Sequence, residues 1–397
     1  MTRDHGTGYS YKDKMNREFK NLEIGDVGIE IPIIQGGMGV RVSTSGLASA
    51  VSNEGGLGII ASVGLGEEKD ATASNYASRS RNSFVKTIRK TRTMTDKPFG
   101  VNIMCALTNY QDLVDAAQQE SVDVIISGAG LPLKLPAYIN NRRTKLVPIV
   151  SSPRAAQLIC NVWKKRFTRL PDAIVVEGPL AGGHLGYSLE DIKDSSRVFL
   201  DNILKEVLTV VQDFESPGCR IPVIAAGGIF DGEDIARVIS LGASGVQMAT
   251  RFVCTHECDV SDGYKKAYLA ATKEDIVIIQ SPVGMPGRVI NNEFVERIVR
   301  GERIDFGCEY KCLVTCDSRK VNYCIANALF SAASGHMDKG FAMCGSNAYR
   351  INKIVSVKEL FAELVEGART SLKNRGMSDL RVGEKNNKTE ERKGKNE

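Results

Sequence analysis

The stretch IPVIAAGGIFDGEDIARVISLGASGVQMATRFV, residues 221–253, places a helix-spaced segment between two short apolar runs. The first run ends in a glycine pair and the second runs into Ala249 and Thr250. Between them Asp231 stands as a helix cap and Gly242 as a terminator. Strand, helix, strand with short turns is the repeating unit of a parallel sheet.

The same pattern recurs upstream. Apolar runs lie at IPIIQGG (31–37), LGIIASVG (57–64), PFGVNIM (98–104), VDVIISGAG (122–130), KLVPIVSS (145–152) and DAIVVEG (172–178). They are continuous rather than alternating, which is the signature of strands buried on both faces. Helix-like segments such as STSGLASAVSNEG, TNYQDLVDAAQQES and SPRAAQLICNVWKKR separate them. Eight such runs predict a TIM-like (β/α)8 barrel in the α/β class. The rival, a doubly wound open sheet, lacks support: GGMGV and GGLGII do not match G-x-G-x-x-G, and no phosphate-loop motif is found.

In such a barrel, function sits at the C-terminal ends of the strands. Gly36, Gly37, Gly128, Gly130, Gly178, Gly182, Gly183, Gly227 and Gly228 fall there. A rim so poor in side chains lets a flat or anionic ligand reach the backbone. The turns after strands seven and eight, AAGGIFDG and QMATRF, sit where these barrels bind a phosphate.

The 397 residues are 42% hydrophobic and 25% charged, with a net charge of +5, so composition offers no argument for nucleic acid. No apolar run approaches a membrane span, and the polar N-terminus lacks the apolar core of a signal peptide. The expectation is a cytoplasmic protein with a polar extension at 1–21, a barrel at 22–282, a mostly helical cap domain at 283–345, a C-terminal helix within 346–380 and a disordered tail at 381–397.

The motifs IPIIQGGMG, GGLGIIA, FGVNIM, EGPLAGGHLG, IPVIAAGGIFDG and GVQMATRF, in this order, resemble those of the nitronate monooxygenase (2-nitropropane dioxygenase) family. That family includes the flavin-dependent enoyl-acyl carrier protein reductases. The resemblance spans roughly residues 22 to 300 and implies FMN held non-covalently in the barrel. By position it implies that Gly36, Gly37 and Met38 lie against the flavin ring and that Asn102 meets its polar edge. Gly182, Gly183 and Gly228 would approach the 5′-phosphate, with Gln247, Met248, Ala249 and Thr250 completing the cradle. Two positions depart from the pattern: Glu177 where many relatives carry glutamine, and Ala249 where glycine is commoner. Glu177 can still accept a ribityl hydroxyl. The resemblance also gives His184 a role, as the proton-transfer residue facing the substrate, which suits an imidazole near neutral pH. His256 reads as a rim residue, His336 as a loop residue, and His5 carries no signal.

Five of the ten cysteines crowd between 308 and 344. Cys308, Cys312, Cys316 and Cys324 have the spacing C-x3-C-x3-C-x7-C, of which the first three fit one face of a helix. Three readings stand: a [4Fe–4S] cluster, a structural zinc, or reduced thiols without metal. Downstream, CGSNAYRINKI reads as a segment returning toward the flavin.

Three functions compete. One is nitronate oxidation to a carbonyl compound and nitrite. Another is NAD(P)H-dependent enoyl-thioester reduction, for which the basic stretch 79–97 could dock an acyl carrier protein. The third is electron transfer by a flavin and an iron–sulfur cluster. Sequence fixes neither the substrate nor the oligomeric state, with a homodimer among the options.

Overall fold

The computed structural model describes residues 20–65, 72, 74–193, 199–308 and 311–390, the side chains of 377–390 excepted. Most of the expected N-terminal extension, His5 included, and residues 391–397 lie outside these.

Eight parallel strands form the central sheet. They are β1 (Ile33–Gln35), β2 (Gly58–Ala61), β3 (Phe99–Met104), β4 (Val124–Gly128), β5 (Lys145–Val150), β6 (Ile174–Glu177), β7 (Val223–Ala226) and β8 (Gly245–Met248). Each lies within one of the eight apolar runs. The hydrogen-bonded order is β1-β8-β7-β6-β5-β4-β3-β2. The ring closes where Gln35 N donates to Leu57 O at 3.0 Å and Leu57 N donates to Ile33 O at 3.0 Å. The molecule is therefore a TIM-like barrel, as the strand count predicts.

Because side chains alternate across a strand, the barrel divides the apolar residues into two cores. Ile34, Ile59, Ile126, Val147, Val175 and Ile224 fill the interior. Their neighbours Ile33, Ile60, Ile125, Leu146, Val176 and Val223 face the outer helices. A hairpin of Leu22–Ile24 and Val27–Ile29 adds Leu22, Ile24 and Ile29 to the inner core. Its turn meets Lys145, at the start of β5, whose Nζ lies 2.7 Å from Asp26. The hairpin thus plugs the N-terminal end and leaves the other end for chemistry.

Local signals place the helices. Ser152 caps Pro153–Phe167 by accepting from Ala155 N, with proline in the first turn. Asp231 caps Gly232–Ser240 by accepting from Asp234 N at 3.1 Å, and Gly242 adopts φ +107° after it. The last helix runs Val357–Glu390, ten residues past the end expected for it. Its buried residues Leu360, Phe361, Leu364, Val365 and Ala368 hold it on the barrel.

Above the barrel, Ile276–Gln280 pairs with Pro286–Ile290, which in turn pairs with Gly183–His184. Helices Glu293–Val299 and Ile325–Ala333 follow. Phe294, Tyr323 and Phe341 form a small aromatic core there, with centroids 5.9–6.0 Å apart. Among the described residues, no helix is long and apolar enough to cross a membrane. In the basic helix Tyr76–Met94, Arg81 bonds Gln119, and Arg89 and Arg92 pair with Glu120 and Asp123. These arginines are engaged within the barrel's own helical layer.

Candidate active site

A cavity of about 410 Å³ opens at the C-terminal ends of the barrel strands. On the barrel side it meets Gly36, Gly37, Met38, Asn102, Glu177 and Gln247. Gly182, Gly183, His184, Ala249 and Thr250 continue that wall. The opposite wall is apolar and comes from later segments, with Val283, Met285, Leu313, Ile325, Leu329 and Met343.

The turn after β1 is held by buried polar bonds. Gln35 Nε2 donates to Ser43 Oγ at 2.7 Å, and Gln35 Oε1 accepts from Ile59 N at 3.0 Å. The same Ser43 Oγ accepts from Met38 N at 2.9 Å, while Gly36 N reaches Met248 O at 2.8 Å. Gly37 has to be glycine here, because a Cβ would lie 2.4 Å from Asn102 Cβ. The sequence pattern thus brings Gly37 and Asn102 face to face.

At the other end, residues 343–347 cross directly over Gly182. A Cβ on Gly182 would stand 2.6 Å from the Cys344 carbonyl carbon and 2.7 Å from Gly345 N. Gly345 N donates to Thr250 Oγ1 at 2.9 Å, Ser346 N to Leu180 O at 3.2 Å, and Asn347 Nδ2 to Gly228 O at 3.0 Å. This is the returning CGSN segment, and it draws the loops after β6, β7 and β8 together. Gly227 and Gly228 take φ +88° and +85°, and their N–H groups find no acceptor among the described residues. Ser346 Oγ and Gln247 Oε1 are buried and have no partner among the described residues either. Of these groups Gln247 borders the cavity, where an orphaned polar atom is what a polar ligand would satisfy, and the others stand outside its lining.

Two expected site residues do not border the cavity. Met248 turns its side chain into the outer core and contributes only its carbonyl, to Gly36. Gly228 sits behind the lining, against Leu180 and Asn347. Alternation along β8 explains the first: Gln247 points inward, so Met248 cannot.

His184 stands on the two-residue strand opposite Gly287. Its Nε2 lies 2.8 Å from Ser281 Oγ, and burial holds its pKa down to about 4, so the imidazole is uncharged at neutral pH. Burial pushes the Glu177 carboxyl up to about 7. Tyr187 donates to the Glu177 carbonyl at 2.6 Å, fixing the end of β6. Tyr264 and Tyr268 border the cavity with stacked rings, centroids 5.8 Å apart, and Tyr268 donates to Met343 O. The Arg288 guanidinium lies beside Cys344 and donates to Ala181 O. Ser281, Ser346 and the two tyrosines carry no local sequence signal.

The cysteine segment departs from the helical arrangement expected for it. Cys308, Cys312 and Cys316 lie in irregular chain outside any helix. Leu313 bridges Leu107, Thr108 N donates to Cys312 O at 3.0 Å, and Val314 N donates to Ala106 O at 2.9 Å. Cys308 is exposed, Cys312 borders the cavity, and Cys324 precedes helix Ile325–Ala333. Among the described residues, no three His, Cys, Asp or Glu side chains gather as a metal site. Among the described residues, Cys308, Cys312, Cys316 and Cys324 thus do not gather as a ligand set for a cluster or for zinc.

The family model described as nitronate monooxygenase matches residues 20–367. The chain belongs to the nitronate monooxygenase family. It is similar to the (3aS,4S,5R,7aS)-5-hydroxy-7a-methyl-1-oxo-octahydro-1H-indene-4-carboxyl-CoA dehydrogenase of Mycobacterium tuberculosis. That protein is 34% identical over 277 residues, covering 70% of this chain and 68% of the relative. A nitronate monooxygenase of Paraburkholderia phytofirmans is 32% identical over 302 residues, covering 68% of this chain and 75% of its own length. Among solved structures, FabK from Thermotoga maritima matches with a TM-score of 0.69 and 32% identity, over 88% of this chain and 96% of that one. The nitronate monooxygenase family is one of flavin-dependent enzymes, and this chain is an oxidoreductase of it.

Proposed function

We propose that this chain is an FMN-dependent nitronate monooxygenase, which converts an alkyl nitronate and oxygen into a carbonyl compound and nitrite. The observation that carries the reading is His184, an uncharged imidazole on the wall of a cavity whose opposite wall, with Val283, Met285, Leu313 and Met343, is apolar. An imidazole so placed can exchange a hydrogen bond or a proton with a small substrate that has little charge of its own.

The residues present fit FMN. The unpartnered Gln247 Oε1 offers a polar contact in the cavity wall, and Ser346 Oγ and the free amides of Gly227 and Gly228 lie in the loops next to it, outside its lining. The backbone of Gly36, Gly37 and Met38 would lie along the ring, with Asn102 at its polar edge. Glu177 would take a ribityl hydroxyl. Gly182, Gly183, Ala249 and Thr250 would face the phosphate, with Gly228 supporting them from behind and Met248 anchoring Gly36. When bound, FMN supplies the electron acceptor for the substrate carbon. The protein's own part is to seat the substrate against His184 and to exclude bulk water with the cap segment 283–345, through Val283, Met285 and Leu313.

The test is nitrite release and oxygen uptake with ethyl nitronate as substrate. The reading fails if no nitrite forms while crotonyl thioester is reduced by NADH. That outcome would favour a second reading, an acyl-thioester oxidoreductase using NAD(P)H. Its support is the similarity to the indene-carboxyl-CoA dehydrogenase and to FabK at 32–34% identity.

A further inference from the structure

Glu177, Ala226 and Gln247 stand side by side in register across β6, β7 and β8. Val176 and Met248, one step along, face the outer helices, so alternation turns Glu177 and Gln247 inward. Both border the cavity, with only the methyl group of Ala226 between them and their Cα atoms about 10 Å apart. Gln247 Oε1 has no donor, and no hydrogen bond or ion pair to the Glu177 carboxyl is found among the described residues.

The surroundings of Glu177 supply no cation. The described lining of the cavity holds neither lysine nor arginine, and Glu177 is its one carboxyl. His184, on the adjoining loop, is uncharged at neutral pH, and Tyr264, Tyr268, Cys312 and Cys344 are the other titratable groups on the walls. Beside β6, Tyr187 gives its hydroxyl to the Glu177 carbonyl and lies near Asp191. The neighbouring strands end in Val150–Ser151 and Ala226–Gly228, which do not ionise. Behind Gly178, helix Leu200–Gln212 carries Asp201, which is paired with Arg237. Arg288, from the cap, donates to the Ala181 carbonyl and lies beside Cys344.

A carboxylate in such a place loses hydration and gains no counter-charge. FMN would bring a phosphate of roughly two negative charges into the same cavity and displace the water that reaches the carboxyl. Both changes favour the neutral acid. The acid can also donate one hydrogen bond, whereas a carboxylate and Gln247 Oε1 can only accept.

We infer that Glu177 holds FMN as a neutral carboxylic acid, so that a proton enters the protein together with FMN. The inference rests on the FMN reading of the cavity. The proton comes from solvent and joins one carboxyl oxygen, and no electron moves. Burial already lifts the carboxyl of the flavin-free protein to about 7. Linkage then sets the sign: through this group FMN affinity is level below pH 7 and falls above it, by up to about tenfold per pH unit.

The experiment titrates FMN into the full chain stripped of flavin, as wild type and as Glu177→Gln. Calorimetry at pH 8 in HEPES and in Tris, whose ionisation heats differ, counts the protons. The wild type should take up more than about half a proton per FMN and E177Q close to none. By flavin fluorescence, the wild-type Kd should rise at least about fivefold from pH 7.5 to 8.5, and that of E177Q less than about twofold. A smaller uptake by the wild type, or one that E177Q leaves intact, overturns the inference while FMN binding itself stands. If E177Q does not fold or binds no FMN, the infrared spectrum of the wild type decides. Its FMN complex at pH 8 should gain, over the flavin-free protein, a protonated-carboxyl band that shifts when glutamate is 13C-labelled, and absence of that band overturns the inference. Failure of the wild type to bind FMN at any of these pH values defeats the FMN reading and the inference with it.

Discussion

Replacing Glu177 by glutamine should change how the stability of the flavin-free protein depends on pH. Burial raises the Glu177 carboxyl from an ordinary 4.5 to about 7. The folded chain therefore keeps a proton that the unfolded chain releases over that interval. Stability from this group is fully present below pH 4.5 and is lost as pH rises through 7. At about 1.4 kcal/mol per pH unit, the whole interval is worth about 3.4 kcal/mol at most, and water in the cavity lowers it. His184 works in the opposite sense, since burial lowers it from 6.5 to about 4. The unfolded chain takes up a proton that the folded chain refuses, so stability falls as pH drops below 6.5. Between pH 4.5 and 6.5 the two slopes oppose each other and nearly cancel. Glu177→Gln removes one of them. The variant should match the wild type at pH 4.5 and exceed it by up to about 2.7 kcal/mol at pH 6.5. Urea unfolding of both apoproteins at pH 4.5, 5.5 and 6.5 measures this directly. A difference that stays flat within about 0.5 kcal/mol across the range would refute a buried, proton-holding Glu177.

Three further outcomes can be checked with purified protein. Gly182→Ala would drive a Cβ into the Cys344–Gly345 backbone; FMN affinity, followed by quenching of flavin fluorescence, should fall at least tenfold, and unchanged affinity would remove this crossing from the cofactor site. His184→Ala should lower turnover of the true substrate at least tenfold while FMN stays bound, and an unaltered rate would retire the residue. Anaerobically purified protein should show a flavin spectrum without stoichiometric iron, because no three metal-ligating side chains gather among the described residues; four irons per chain would overturn that placement.

The barrel was legible because strands buried on both faces must be apolar throughout, and because glycine and capping residues punctuate each one. Asp231 and Gly242 act as their positions suggested. The glycines and His184 at the strand ends were legible for the same reason, since the barrel makes its C-terminal rim the place for a ligand. The cysteine segment misled because a 3.6-residue spacing is evidence for a helix only when nothing else claims the chain. Here Leu313 is buried against Leu107 and Cys312 O is taken by Thr108 N, and these long-range bonds outweigh the local period. Ser281 was invisible for a related reason. A lone serine acquires meaning only when the fold brings it to an imidazole 97 positions away.

That last contact bears on how the site is assembled. His184 belongs by sequence to the loop after β6, yet its strand partner is Gly287 and its side-chain partner is Ser281, both from the segment above the barrel. Two residues earlier, Gly182 is pinned beneath Cys344 and Gly345. The loop is therefore gripped from both sides by chain that comes after the last barrel strand. The glycines of EGPLAGGHLG leave room for that grip, while the histidine is oriented by it. A barrel deprived of residues 281–347 would keep most of its inner core, but it would lose the Ser281 bond, the Gly287 pairing and the Cys344–Gly345 crossing at once. The imidazole and the Gly182 turn are held by the same segment, so if the cavity takes FMN as proposed, damage to the cap should weaken flavin binding and turnover together rather than either alone.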